Sequence, residues 1–232
     1  MKNIHPTIWP TNPAEAIALQ KTLADQVVIA PLNHPVKIVA AVDLAHIGPP
    51  RRPEKQVAGV VVYDLETRTV IERRSLISPV TFPYIPGLLS FREAPAAIEV
   101  IQKIKSRVDV FLMDGQGLAH PRKFGIACHI GVLIDRPTLG CAKSRLVGEP
   151  ARELPAKKGQ WVDLLFKNEP VGALLRTRDN VKPLYISAGH RITLSESIDI
   201  VLRACDRYRL PEPARMAHNY VTEISKSMIN SR

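Results

Sequence analysis

The chain has 232 residues, enough for one mid-sized domain with a real hydrophobic core. Its make-up, 45% hydrophobic and 23% charged, excludes a disordered or fibrous chain. With 32 Lys and Arg against 22 Asp and Glu, the formal charge is +10, which favours a polyanionic partner, most commonly nucleic acid.

No stretch is both long and apolar enough to cross a bilayer, and Met1–Pro10 is too polar and proline-broken for a signal peptide. The expectation is a soluble, cytoplasmic, monomeric protein with one domain over residues 1–232. Cys128, Cys141 and Cys205 are far apart and form no C-x-x-C pair. They read as buried thiols rather than a zinc site or a disulfide framework.

In chain order, Asn12-Pro13-Ala14-Glu15 is an N-cap, a first-turn proline and a capping-box acid. A helix follows to about Ile29, with Ala16, Leu19, Leu23 and Val27 on one face. Lys37–Ala45 is an apolar strand carrying Asp43 near its end. A basic loop, Pro49-Pro50-Arg51-Arg52-Pro53, leads into an antiparallel hairpin of Val57–Tyr63 and Thr69–Ile77. After a proline- and aromatic-rich loop from Pro79 to Gly87, Ser90–Arg107 reads as a helix opened by a capping box of Ser90 and Glu93. Val108–Met113 is a buried strand that delivers Asp114 to its carboxyl end, followed by Gly115 and Gly117. Helix 125–134, strand Thr138–Ala142 with Lys143 beyond it, and a polar loop from Ser144 to Lys158 come next. The strands Trp161–Lys167, Val171–Thr177 and Pro183–Ser187 precede a helix from the Thr193–Glu196 capping box to Arg209. A last helix, after Pro211, carries His218. Three consecutive strands followed by alternating helices and strands imply an α/β fold with a mixed sheet flanked by helices, of ribonuclease H-like type.

Asp43 and Asp114 each end an apolar strand, where a lone buried carboxylate is costly. Side by side they repel unless something positive lies between them, and a hard divalent cation suits such ligands. Glu93, in the first turn of its helix, projects toward the same strand ends. Each acid has a plainer reading as a turn cap or helix cap, and the pattern alone does not fix a substrate.

Several stretches together are more specific. Pro83-Tyr84-Ile85-Pro86-Gly87, Leu88-Leu89-Ser90-Phe91-Arg92-Glu93 and Met113-Asp114-Gly115-Gln116-Gly117 resemble endonuclease V. So do Ala119-His120-Pro121-Arg122, Gly125-Ile126-Ala127-Cys128-His129-Ile130-Gly131, Gly140-Cys141-Ala142-Lys143-Ser144 and Ala217-His218. The resemblance runs from Asp43 to His218 in the family's order. It implies a ribonuclease H-like nuclease acting near deaminated adenine in DNA, cutting the second phosphodiester bond 3′ to the lesion and leaving 3′-hydroxyl and 5′-phosphate ends. Inosine-containing RNA is a second candidate substrate, and the sequence leaves that choice open.

The resemblance further implies that Asp43, Glu93 and Asp114 hold Mg²⁺, with Mn²⁺ able to substitute, and that His218 and Lys143 join them in catalysis. Pro83, Tyr84, Ile85 and Pro86 would form a rigid wedge whose ring stacks where a base has left. Gly87, Leu89, Gly115, His120 and Ile126 would surround the flipped base. Arg92, Arg122, Lys123 and Arg145 flank these motifs as candidate phosphate holders. After Asp43, the run Leu44-Ala45-His46 departs from the Ser and aromatic common in relatives, and His46 has no assigned role. The acids alone also permit a junction-directed nuclease of the same fold or a catalytically silent binding module. The tyrosine wedge and the glycine-rich pocket argue against the first, and the full set of acids with Lys143 and His218 against the second.

Overall fold

The computed structural model describes residues 9–49 and 53–230. Pro50, Arg51 and Arg52 of the basic loop, and the first eight residues of the amino-terminal stretch, lie outside them. The elements are α1 (Pro13–Ala24), β1 (Ile38–Ile47), β2 (Lys55–Asp64), β3 (Thr69–Pro79), α2 (Leu89–Gln102), β4 (Val110–Met113) and α3 (Ile126–Ile134). They continue with β5 (Thr138–Ala142), β6 (Glu149–Pro150), β7 (Trp161–Phe166), β8 (Glu169–Leu175), β9 (Leu184–His190), α4 (Leu194–Ala204) and α5 (Glu212–Asn230).

The strands form one mixed sheet in the order β3-β2-β1-β4-β5-β9-β8-β7-β6. Only the centre is parallel: β1 runs with β4 and β4 with β5, while the remaining neighbours are antiparallel. Three antiparallel strands joined to two parallel ones give the expected ribonuclease H-like α/β arrangement, and helices cover both faces. Ala40 and Val42 of β1 pack with α2 and α3 on one side, and Val39 and Ala41 pack with α4 and α5 on the other. Alternation along a strand produces this division. Every residue of β4 and β5 is buried, which is why both read as unbroken apolar runs. The three cysteines are free and buried.

Four helix boundaries differ from the sequence expectation. Helix α1 stops at Ala24 rather than about Ile29, because the backbone leaves the helix and Val28 N–H donates to His190 Nδ1. Helix α2 begins at Leu89 with Leu88 as its cap, so Ser90 and Glu93 form no capping box. Ser90 Oγ instead meets His129 Nδ1 at 2.9 Å, and Glu93 lies past the first turn. The same helix ends at Gln102 rather than Arg107, where Glu72 accepts the N–H groups of Lys105 and Ser106 and turns the chain. Helix α4 does form the Thr193–Glu196 capping box, but it ends at Ala204 because Cys205 is extended.

The turn after β4 is threaded very tightly. Gly117 donates to Ser187 Oγ at 2.8 Å, and a Cβ added to it would lie 2.1 Å from the Ala188 carbonyl oxygen. One at Gly140 would lie 2.5 Å from the Gly115 carbonyl oxygen. Backbone crowds backbone here, so a side chain cannot simply rotate away. Gly117→Ala should therefore lower stability by about 1–3 kcal/mol, the usual cost of overpacking, seen as a reduced midpoint in thermal unfolding.

Candidate active site

Because β1 and β4 are parallel, with Val42 beside Met113, the residues that follow emerge at one end of the sheet. Those residues are Asp43 and Asp114. Strand β5 extends the same edge and places Lys143 next to them; its Nζ donates to Asp114 Oδ2 at 2.5 Å. The fourth group comes from α5. His218 Nδ1 lies 2.8 Å from Asp43 Oδ2. That approach depends on Gly59, which pairs with Asp43 across β1 and β2. A Cβ on Gly59 would come 2.4 Å from Val221 Cγ1, one turn beyond His218, and would push α5 away.

Asp43, Asp114 and His218 each offer a ligand atom, all within 4.8 Å of one another. Glu93 is not in that group. It arrives from α2 on the opposite face and meets Asp43 and Asp114 around a small internal cavity of about 10 Å³. Burial, and then the charge of Asp43, push the Glu93 carboxyl up to about 8. Burial and the charge of Asp114 likewise raise Asp43, against the lowering effect of its hydrogen bond with His218. Burial alone would lower Lys143, yet its bond to Asp114 and the surrounding acids hold it above its ordinary value. The cluster therefore carries more negative charge than its own cation offsets. A hard divalent ion fits these oxygen donors and one imidazole.

Beside the acids lies a cavity of about 320 Å³ that shares Asp114 and Lys143 with them. Gly87, Leu89, Gly115, His120 and Ile126 all line it, as do Tyr84 and Pro86 of the aromatic loop. Pro83 faces a neighbouring cavity instead, and Ile85 packs on Phe82, Leu88 and Phe91. Tyr84 is 64% exposed, unusual for a large aromatic side chain. Gly87 has φ +79°, a backbone setting that suits glycine. Its carbonyl accepts from Arg122 Nη2 at 2.7 Å, His120 Nε2 at 3.0 Å and Gln20 Nε2 at 3.2 Å, which fixes the loop. His120 Nδ1 accepts the Arg122 N–H, so Nε2 carries the proton. Burial, helped by Arg122, lowers this imidazole to about 4; it is a neutral brace. Neither α2 nor α3 has a side-chain cap, and both helices begin at this cavity, at Leu89 and Ser90 and at Gly125 and Ile126. Phe91 N–H donates to Leu88 O and Ala127 N–H to Gln116 O, which leaves the N–H groups of Leu89, Ser90 and Ile126 as the unspent donors at these helix starts.

Of the candidate phosphate holders, Arg122 is spent on Gly87 and Gln20, Lys123 on Glu169, and Arg145 on Glu149. Arg92 is buried without a hydrogen bond at Nε. Gln116 was quoted in the glycine-rich stretch but given no role. Its Nε2 donates to Ser144 O at 3.0 Å and ties the Lys143 loop to the cavity wall. A buried amide between two glycines was the available signal. Gln20, from a helix distant in sequence, had none.

The endonuclease V family model matches residues 21–219. The chain belongs to the endonuclease V family. Endonuclease V of Nostoc punctiforme is 47% identical over 218 residues, covering 94% of this chain and 97% of that one. The crystal structure of endonuclease V from Streptomyces avermitilis superposes with a TM-score of 0.89 at 34% identity, covering 97% of both chains. Endonuclease V of Ciona intestinalis, solved with a 24mer DNA containing an inosine followed by a ribo-adenosine, aligns with a TM-score of 0.81 at 28% identity, covering 93% of this chain and 98% of that one. Among the described residues, no helix is long and apolar enough to cross a membrane.

The raised carboxyls set a pH dependence for the folded chain. An acid raised by folding contributes stability below its ordinary value and loses it as pH rises to the folded value. For Glu93 that window runs from 4.5 to about 8, and the raised Asp43 acts in the same direction. In chelator, thermal stability should fall across this window; Glu93→Gln should flatten the fall, and a divalent cation held by the acids should stabilise more at its upper end than at its lower end.

Proposed function

We propose that the chain is a Mg²⁺-dependent nuclease that takes a deaminated adenine into the cavity beside Asp114 and hydrolyses the strand on its 3′ side. The observation that carries the reading is the sharing of Asp114 and Lys143 between the acid cluster and the cavity. A base seated there lies next to the groups that would cut its strand. The inosine-containing DNA bound by the Ciona relative supports the same substrate.

Hypoxanthine presents an O6 acceptor and an N1–H donor where adenine presents a donor and an acceptor. The N–H groups of Leu89, Ser90 and Ile126 at the starts of α2 and α3 suit O6 and would leave an adenine amino group facing donors. Gly115 keeps the floor low, since a Cβ there would lie 2.7 Å from Ile126 Cγ2. Tyr84, held out from the rim between prolines, fills the gap left by the base; such stacking is worth about 1–3 kcal/mol. Flipping costs a few kcal/mol, least at a poor pair.

Asp43, Asp114 and His218 would hold the metal, with Glu93 on its other side; when bound, it supplies a deprotonated water and neutralises charge on the phosphate. His218, bonded to Asp43, holds that carboxylate in place. Lys143 fixes Asp114 and presents a cation to the phosphate. Hydrolysis at the second bond 3′ to the lesion would leave a 3′-hydroxyl and a 5′-phosphate. The same base edge occurs in deoxyinosine and inosine, so RNA is a candidate beside DNA. The setting that follows is DNA repair.

The test compares matched oligonucleotides carrying inosine or adenosine, as DNA and as RNA, with Mg²⁺ and with chelator. Only the inosine strands with Mg²⁺ should be nicked. Asp114→Asn should abolish nicking while lesion binding remains measurable; normal turnover by this variant would remove the acid from the metal site.

A further inference from the structure

Helix α1 lies far in sequence from the acids, yet it sends one side chain to the base cavity. Gln20 is fully buried, and a buried amide needs partners at both of its ends. Its Nε2 donates to two carbonyls, Phe124 O at 2.8 Å and Gly87 O at 3.2 Å. Its Oε1 accepts from Arg122 Nε. Gly87 precedes Leu88, which caps α2, and Phe124 precedes Gly125, which caps α3. One amide therefore joins the two helix starts whose open N–H groups, on Leu89, Ser90 and Ile126, border the cavity. The start of α3 is also anchored to the turn after Asp114, because Gly125 donates to Gly117 O at 2.9 Å and Ala127 to Gln116 O at 3.0 Å. Among the described residues the start of α2 has no such backbone tie to that turn, and side chains hold it across the cavity.

We infer that Gln20 is a positioning residue for base selection: it fixes the spacing between the starts of α2 and α3, so that their N–H groups meet one oxygen of the base. The inference rests on the reading of this cavity as the base pocket and adds a residue from outside its wall. Without Nε2 the buried Phe124 carbonyl loses its donor, and an unpaired buried carbonyl costs enough that the chain shifts to pair it. A shift at Phe124 and Gly125 carries Ile126 with it, and the donors then no longer match O6. Contacts to the phosphates of the strand carry no base information and do not pass through Gln20. Selection should therefore suffer while general affinity does not.

The experiment measures binding of matched single strands carrying inosine or adenosine by fluorescence anisotropy, in chelator so that no strand is cut. Gln20→Leu removes both ends of the amide, and Gln20→Glu keeps an acceptor for Arg122 but no donor for the carbonyls. Ile200→Ala is the control: Ile200 is buried on α4 across the sheet, so its truncation lowers the unfolding midpoint without touching the cavity. The wild type should favour inosine. Both Gln20 variants should lose about ten-fold of that preference, the worth of one hydrogen bond, with affinity for the adenosine strand unchanged. Ile200→Ala should keep the preference. Full preference in either Gln20 variant, or the same loss in Ile200→Ala, would overturn the inference and leave the pocket reading standing. Equal binding of the two strands by the wild type would instead remove the pocket reading, and the inference with it.

Discussion

Three carboxylates converge at one end of the sheet, and their mutual repulsion is the constraint around which the rest is arranged. Asp43 and Asp114 arrive there because the parallel pairing of β1 with β4 ends in register at Val42 and Met113. Glu93 arrives from α2, which starts early, behind a cap at Leu88 rather than at Ser90, so that Glu93 lies past the first turn. Lys143 offsets part of the charge, while burial first and then the charge of Asp43 raise Glu93. A fold that only needed stability would not keep such a cluster, since unpaired buried charge costs several kcal/mol. It makes sense as a preorganised seat for a cation.

The glycines solve the second problem, which is space. Gly59 lets α5 bring His218 to Asp43, and Gly117 and Gly140 let the turn after β4 press against its neighbours. Gly115 keeps the cavity floor clear beneath Ile126. Side chains at these positions would separate elements whose separation sets the distance between cavity and acids. Rigid spacing of this kind, rather than a flexible loop, gives a nuclease a fixed distance between what it reads and what it cuts.

Much of this was legible in the residues. The apolar runs ending in Asp43 and Asp114 gave the strands and the acid pair, and the hairpin of β2 and β3 followed from its alternation. The endonuclease V resemblance supplied the roles of Tyr84 and the pocket residues, which no periodicity could have done. The failures were at places where distant residues decide. Ser90 and Glu93 match a capping box, but His129 takes the serine and burial takes the glutamate. The end of α2 depends on Glu72, more than thirty residues earlier in β3. The three donors on the Gly87 carbonyl come from α1 and from the turn before α3, and no local pattern announces them.

The central claim is a fixed distance from the base cavity to the acids, carried by the single step from Asp114 to Gly115. It is tested most directly by moving one inosine along otherwise identical strands and mapping the cut in Mg²⁺ at nucleotide resolution. The account predicts that the cut follows the inosine at a constant offset, two phosphodiester bonds to its 3′ side, whatever the neighbouring sequence. A cut that stays put, or an offset that varies with inosine position, would contradict it.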